Sequence, residues 1–349
     1  MLADIGNSLF GLDISDRALR LVRLRRVGKK NYLQSFNELR LPAGLIQDGE
    51  IKKPEETIAA FEKLIKTVAG AKLNTRNVIT VLPEQKTFIN VITVATPAKN
   101  EGLEQIIREE TQRQIPLELE QAYLDWRILS QTPDATRVAV GVAPKDIVDA
   151  YVQILQKTGI FPFAMEIEAC AITRALLDNK TTGAKIIIDF GGVRTGLICY
   201  TGGTVHFTVS LPISGNAITA TIQQALKLEE ADAERAKIVC GLDDEKCEGA
   251  LRKVLYGAMT DLTTQIKKAI AYYKRTVPGG AEITEIVLCG GGANFLKIDS
   301  VLSEKIGLPV VIGNPVQHVT MTKKIAIPQA QQLSFTTAIG LALRAFERD

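Results

Sequence analysis

At 349 residues the chain is too long for one small core, so two or more domains are expected. Its apolar fraction of 46% and charged fraction of 23% are those of an ordinary soluble globular protein, and a formal net charge of +3 is too near balance to argue for nucleic acid. No run approaches ~18 consecutive apolar residues, which argues against a helical membrane span.

Residues 10–41 alternate as three short strands, broken at Gly28 and at Pro42-Ala43-Gly44. Residues 54–69 read as a helix, with Pro54 suited to its first position, Ile58, Phe61, Leu64, Ile65 and Val68 on one face, and Gly70 at its end. A strand follows at 77–82. Then comes a small α+β unit: strand 87–94, a helix at 101–114 with Glu101 and Glu104 in its first turn, strands 122–129 and 136–143, and a helix at 145–158. A further helix is expected at 166–178.

The second half repeats the plan. Strands are expected at 185–190, 195–200 and 204–210, and helices at 216–227, across EEADAERAKIVCG, and at 250–274, up to Pro278-Gly279-Gly280. Strand 284–289 enters a glycine turn and a helix at 295–306 leaves it. This order predicts a duplicated α/β domain. The expected division is a first-lobe core at 1–85 to which 164–183 and 330–349 return, an insert at 86–163, a second-lobe core at 184–214 with 276–329, and an outer helical subdomain at 215–275.

Five scattered cysteines (170, 199, 240, 247 and 289) show no zinc-like spacing. Most sit in apolar contexts, Cys240 and Cys247 argue no site, and a reducing cytoplasm fits. The early basic residues Arg17, Arg20, Arg23, Arg25, Arg26, Lys29 and Lys30 read as a solvated sheet face, with a surface toward anionic lipid or an acidic partner as the other reading. No cationic segment followed by a long apolar one opens the chain, so no secretory signal is expected.

The motif that carries chemistry appears twice. FGLDISDRALRLV at 10–22 and IIIDFGGVRTGLICY at 186–200 each end an apolar run in an aspartate, turn, and resume as an apolar run. A magnesium triphosphate needs carboxylates nearby, usually through the metal's water shell, and backbone N–H groups in tight turns for its phosphate oxygens. Asp13 and Asp189 fit the first need; Ser15, Gly191, Gly192 and Thr195 fit the second. Aspartate is also an ordinary turn former, and either hairpin alone reads as well that way. Together with Gly290, Gly291 and Gly292 after a buried strand, they point to a phosphate cleft between two lobes. No G-x-x-x-x-G-K-[ST] exists, which argues against a P-loop, and His206 and His318 sit in no cluster.

The arrangement resembles the actin-like ATPases, and within them the PilM family of type IV pilus assembly. The resemblance runs end to end: GLDIS, EETQRQIPLELEQAYLDWRIL at 109–129, VAPKDIVDAYVQILQKTGI at 142–160, EIEACAITRAL at 166–176, IIIDFGG at 186–192, SGNAITATIQQAL at 214–226, AERAK at 233–237, CGGGA at 289–293 and TTAIGLALRA at 336–345. It implies a two-lobed, duplicated ribonuclease H-like α/β fold with an insert subdomain of the type shared with FtsA. It also implies ATP or ADP with Mg2+ between the lobes. Asp13 and Asp189 would hold the metal through water, and Ser15, Gly191, Gly192 and Thr195 would line the phosphates. Glu234 and Lys237 would meet the ribose or adenine, Gly290, Gly291 and Gly292 would lie under the adenosine, and Glu168 would take the catalytic position that orients water. A solvated helix face for Glu234 and Lys237, and a helix-end carboxylate for Glu168, are the plainer readings.

One departure stands out: where related chains have glycine and small hydroxyl residues after the aspartate, this one has Ser15 and Asp16. A unit charge ~6 Å from a phosphate in an effective dielectric of ~20 costs on the order of 2–3 kcal/mol, so weak or absent hydrolysis is expected. The resemblance implies a cytoplasmic scaffold, recruited to the inner face of the membrane by the N-terminal peptide of a PilN-like inner-membrane protein without inserting itself. Other assembly proteins, including the assembly ATPases, and further copies of the chain are the remaining expected partners. The alternatives are an FtsA-like division protein, a small-molecule kinase of the same superfamily, and a degenerate fold that binds no nucleotide. FtsA normally ends in a linker and an amphipathic helix, whereas this chain stops at Asp349 after its last domain helix.

Overall fold

The computed structural model describes residues 6–97, 102–178, 181–277 and 279–347. Glu101, Pro278 and Asp349 lie outside them. The strands are β1 (Leu9–Ile14), β2 (Ala18–Val27), β3 (Lys30–Arg40), β4 (Ile46–Gln47), β5 (Glu50–Ile51), β6 (Ala69–Gly70), β7 (Asn77–Leu82), β8 (Phe88–Ala95), β9 (Ala122–Gln131), β10 (Ala135–Pro144), β11 (Phe161–Ile167), β12 (Ala184–Phe190), β13 (Thr195–Thr201), β14 (Thr204–Leu211), β15 (Ile283–Cys289), β16 (Val310–Ile312) and β17 (Val319–Thr320). The helices are α1 (Pro54–Lys66), α2 (Leu103–Gln114), α3 (Lys145–Lys157), α4 (Glu168–Leu176), α5 (Gly215–Leu226), α6 (Glu230–Val239), α7 (Ala250–Thr276), α8 (Ile298–Ile306) and α9 (Thr336–Arg344).

Two sheets carry the same five-strand order. The first runs β11-β7-β1-β2-β3 and continues to β17; the second runs β16-β15-β12-β13-β14. In each, a parallel pair on one side of the central strand gives way to antiparallel pairs on the other. The central strands are buried on both faces, which is why LFGLDI and AKIIIDF read as near-continuous apolar runs. Beyond β14 the second sheet is extended by β8, β10 and β9, joined to it through the single bridge Phe207 to Asn90.

The helices cover the sheets as their apolar faces require. Phe61 and Leu64 of α1 and Ile147, Tyr151, Ile154 and Leu155 of α3 close one face of the first sheet over Phe10, Leu12 and Leu21. The sequence places 145–158 in the insert, but these contacts tie α3 to the first lobe. The insert's own small core is Ile92, Val94, Leu103, Ile107, Val138 and Val140. On the second sheet, α5, α7 and α8 cover Ile186, Ile188 and Leu288. Helix α4 lies between the lobes: Ala169, Ile172 and Leu176 pack on Ile187 and Ile198 of the second sheet, and Ala171 joins Leu9, Ile79 and Leu341 of the first.

Some local expectations change. The helix expected from 166 begins at Glu168, because residues 161–167 pair in parallel with β7, a partnership no local pattern encodes. The helix expected from 295 begins at Ile298, after a 3-10 turn at Gly291–Asn294 and a left-handed Lys297 with φ 63°. Cys240 and Cys247, whose spacing argues no site from sequence, form a disulfide with Cα atoms 5.8 Å apart, since the loop between them returns α6 to the start of α7. No described helix is long and apolar enough to cross a membrane.

Gly340 of α9 lets its helix touch the backbone of α4: a Cβ there would land on the Ala171 carbonyl oxygen. Gly340→Ala is therefore expected to destabilise the protein by about 2–3 kcal/mol or more, read as a lowered thermal midpoint, whereas a midpoint equal to wild type would contradict this crossing.

Candidate functional site

The β1–β2 and β12–β13 hairpins share one register. In the first, Asp13 is the cross-strand partner of Arg20 and Ile14 of Leu19; in the second, Asp189 partners Gly196 and Phe190 partners Thr195. The two aspartates therefore occupy equivalent positions, with connecting residues 15–18 and 191–194 of equal length.

The two turns are built differently. The backbone N–H and hydroxyl of Ser15 both donate to the Ala18 carbonyl at 3.0 Å, so this side chain closes its own turn. Asp16 accepts from the amides of Asp48 and Gly49, each at 3.0 Å, and these two donors offset the charge that the sequence placed beside a phosphate. In the second turn the Gly191 N–H donates to the Arg194 carbonyl at 2.9 Å, and a Cβ on Gly191 would crowd that oxygen at 2.7 Å. Gly191 and Gly192 carbonyls accept from the amides of Gly215 and Asn216 at 3.0 and 2.9 Å, which seats the turn on the start of α5. The fully buried Thr195 hydroxyl donates to the Ile213 carbonyl at 2.7 Å, so it braces the turn from behind.

The glycine turn packs against the second hairpin. Gly290, at φ 79°, has no room for a Cβ beside the Asp189 carboxylate, and one on Gly292 would meet the Phe190 carbonyl oxygen at 2.8 Å. Gly291 has only Ser334 Oγ near its Cβ direction, at 3.3 Å. Lys237 and Glu234 pair with each other at 2.6 Å, and Lys237 Nζ also donates to Thr219 Oγ1 at 2.8 Å and to the Gly215 carbonyl at 3.2 Å. Thr219 in turn donates to Glu234. This knot ties α6 to α5 just behind the glycines. The His206 side chain is buried in β14, and a ring nitrogen of His318 meets the Leu177 carbonyl at 3.2 Å, so neither enters the cleft.

Between the hairpins four carboxylates converge: Asp13, Glu84, Glu168 and Asp189. Sequence reasoning missed Glu84, which stands in a 3-10 turn directly after β7 and is 5% exposed. Its signal was the Pro83-Glu84 step ending a buried strand, and its room comes from Gly196, whose Cβ would sit 2.8 Å from Glu84 Oε2. Two arginines answer the carboxylates, and of these Arg194 was missed as a site residue. Arg20 meets Asp13 Oδ2 at 3.1 Å and Glu38 at 2.8 Å. Arg194 meets Glu84 and Glu168 at 3.3 Å each. Glu168, the first residue of α4, also accepts from Thr337 Oγ1 at 3.3 Å.

The electrostatics show a cleft short of positive charge. Burial pushes the Asp13 carboxyl up, and Arg20 only partly opposes it. Asp189 is raised by its enclosure and then by the Glu168 and Glu84 charges. Burial raises Glu84 from 4.5 to about 7 against the pull of Arg194. Asp13 Oδ1 and Glu84 Oε1 are buried without a hydrogen-bond partner among the described residues. These two orphaned oxygens are acceptors that a divalent cation could reach through its water shell; no trio of Asp, Glu, His or Cys among the described residues is placed to grip an ion directly.

The duplicated sheets, the paired aspartate hairpins and the glycine turn between them define a protein of the actin-like ATPase fold. A crystal structure of MreB5 of Spiroplasma citri bound to ADP shares it, with a TM-score of 0.58 and 14% identity over 97% of this chain and 95% of that one. The PilM-PilN type IV pilus biogenesis complex matches with a TM-score of 0.82 and 23% identity, over 98% of this chain and 99% of that one. The family model described as type IV pilus assembly protein PilM matches residues 11–346, and the chain belongs to that family. Among curated relatives, the cell division protein FtsA of Borreliella burgdorferi is 27% identical over 188 residues, 47% of this chain and 43% of that protein. The FtsA of Pseudomonas aeruginosa is 24% identical over 49% of this chain and 44% of its own length, so the matches span less than half of these relatives.

The Glu84 shift has a stability consequence. Its folded pKa lies above the unfolded value, so between pH ~4.5 and ~7 the folded state binds more protons and stability falls as pH rises. Glu84→Gln is expected to remove this group's share of the slope, on the order of 3 kcal/mol across the window, and to leave the shares of Asp13 and Asp189, which are raised in the same direction. Thermal melts of both proteins from pH 5 to 8 check it; parallel curves would count against a buried, raised Glu84.

Proposed function

We propose that this protein is a nucleotide-gated scaffold of type IV pilus assembly, or of a related secretion or competence system. It binds ATP or ADP with magnesium in the inter-lobe cleft and a cytoplasmic peptide of a PilN-like inner-membrane protein beside the insert. The observation that carries the nucleotide reading is the convergence of Asp13, Glu84, Glu168 and Asp189 between two hairpins of equal register, with two carboxylate oxygens left unpartnered. A bound magnesium ion would lower the charge of the polyphosphate and of these acids together. Asp13 and Asp189 would hold its water shell, the glycine turn after Asp189 would line the phosphates, and Glu168 at the start of α4 would orient a water. Lys237 and Glu234, already braced on α5, form the wall toward the ribose, and Gly291 leaves the floor under the adenosine open.

The scaffold reading rests on the junction between the insert and the second lobe. A groove of about 640 Å3 beside the insert, lined by Phe88, Asn90, Gln114, Phe207, Val209 and Tyr272 among others, offers one place for an extended peptide. The similarity to a PilM-PilN complex supports a partner of that kind and a membrane address borrowed from it.

Isothermal titration of the purified chain with ATP and magnesium is expected to show micromolar binding that Asp189→Ala abolishes. No heat and no thermal stabilisation in the wild type would overturn the nucleotide reading. Saturable binding of the N-terminal peptide of the matching inner-membrane partner is expected in the same instrument, and its absence with and without nucleotide would overturn the scaffold reading.

A further inference from the structure

Arg194 crosses the cleft from the last position of the second turn. Its Nη2 lies 3.3 Å from Glu84 Oε2 and 3.3 Å from Glu168 Oε2, while Nη1 donates to Ser210 Oγ of β14 at 3.0 Å. Glu84 follows β7 of the first lobe, and Glu168 begins the helix packed between the lobes. One guanidinium therefore ties the second hairpin to the first lobe and to the inter-lobe helix.

We propose that Arg194 is a phosphate-exchanged latch: it holds Glu84 and Glu168 across the nucleotide-free cleft and trades them for polyphosphate oxygens when a nucleoside di- or triphosphate binds. The inference rests on the nucleotide reading above and adds the residue that links occupancy to the lobes.

Three observations carry it. The Arg194 carbonyl closes the glycine turn by accepting the Gly191 N–H, so the side chain is rooted in the loop that faces the phosphates. Its contacts with Glu84 and Glu168 are long for charge-assisted hydrogen bonds, which run near 2.7–2.9 Å, because one nitrogen is shared between two acids. Arg20, the other cation of the cleft, is held at 2.8 Å by Glu38 and 3.1 Å by Asp13, so it has less to gain by moving. A phosphate offers a guanidinium the bidentate geometry that these two carboxylates, approached by a single nitrogen, do not. On exchange, Glu84 and Glu168 lose their shared cation, and the tie between the second hairpin and the inter-lobe helix is released.

The test uses the full chain with ADP and with ATP, each with magnesium, comparing wild type, Arg194→Gln, Arg194→Lys and Glu84→Gln by titration calorimetry. Arg194→Gln is expected to weaken binding about tenfold or more, and Arg194→Lys by less. Glu84→Gln, which removes a competitor for the guanidinium, is expected to strengthen it about three- to tenfold. A purely structural role would move both positions in the same direction. Hydrogen exchange across 84–90 and 168–176 is expected to speed up when nucleotide binds the wild type, and to be fast without nucleotide in Arg194→Gln. Nucleotide affinities shifted in the same direction, or unchanged, in a wild-type background that binds nucleotide would overturn the latch alone. A wild type that binds no nucleotide overturns the cleft reading and the latch with it.

Discussion

The architecture hangs on a backbone contact between two helices. Gly340 brings α9 against the Ala171 carbonyl of α4, closer than any side chain permits. A buried ion pair locks the same junction: Arg174 grips Glu166 through two nitrogens at 2.6 and 2.9 Å and donates to the Gly340 carbonyl at 3.1 Å. Breaking a buried pair of this kind leaves an uncompensated charge, so the crossing is defended twice. What it sets is the position of α4 between the sheets. Glu168, at the N-terminus of that helix, is thereby delivered into the cleft. A shift of α4 against either sheet would move the carboxylate that meets Arg194.

Much of this was legible in the sequence, and for identifiable reasons. The buried strands ending in Asp13 and Asp189 are continuous apolar runs with a polar turn after them, a pattern visible without coordinates. The helices expected at 54–69, 101–114 and 145–158 form at 54–66, 103–114 and 145–157, the first ending early because residues 69–70 pair with β3. What stayed hidden depends on long-range pairing. The parallel partner of 161–167 lies some eighty residues away in β7, so nothing local distinguishes that strand from a helix start. Glu84 was unremarkable in sequence because its burial comes from the second lobe, where Gly196 leaves it space. Ser15 and Asp16 were legible as a departure but not in direction: whether Asp16 faces a phosphate or the amides of Asp48 and Gly49 is decided by the β4–β5 hairpin.

The duplication is exact in register and unequal in chemistry. Opposite Asp13 stands Arg20; at the equivalent place opposite Asp189 stands Gly196. The first lobe thus supplies its own counter-cation within a hairpin. The second lobe instead leaves a gap that receives a carboxylate from the first lobe, and answers it with Arg194, two residues before that glycine. Both lobes carry an aspartate at the same register position, yet the second hairpin is seated on the start of a helix, its Gly191 and Gly192 carbonyls accepting from the amides of Gly215 and Asn216. That asymmetry is the basis of the proposed roles: Arg194 of the second hairpin answers carboxylates from outside its own hairpin, whereas Arg20 of the first answers an aspartate within it.

The same asymmetry gives the cleft a route to the insert. Glu84 opens a 3-10 turn that passes through Lys86 and Thr87 directly into β8, the strand that bridges to β14 at Asn90 and carries the insert sheet. That bridge is a single residue pair, whereas β8 is held to β10 along its whole length. A change in what Glu84 contacts is therefore applied to the insert near its weakest junction with the second lobe, and the 640 Å3 groove lies along that junction, with Glu84 in its wall. Coupling between an occupied cleft and a peptide beside the insert needs no long chain of side chains here, because one turn of backbone joins the two. The size of such a coupling is bounded: a nucleotide that captured Arg194 could bias the groove only by the difference in how tightly Glu84 is held in the two states.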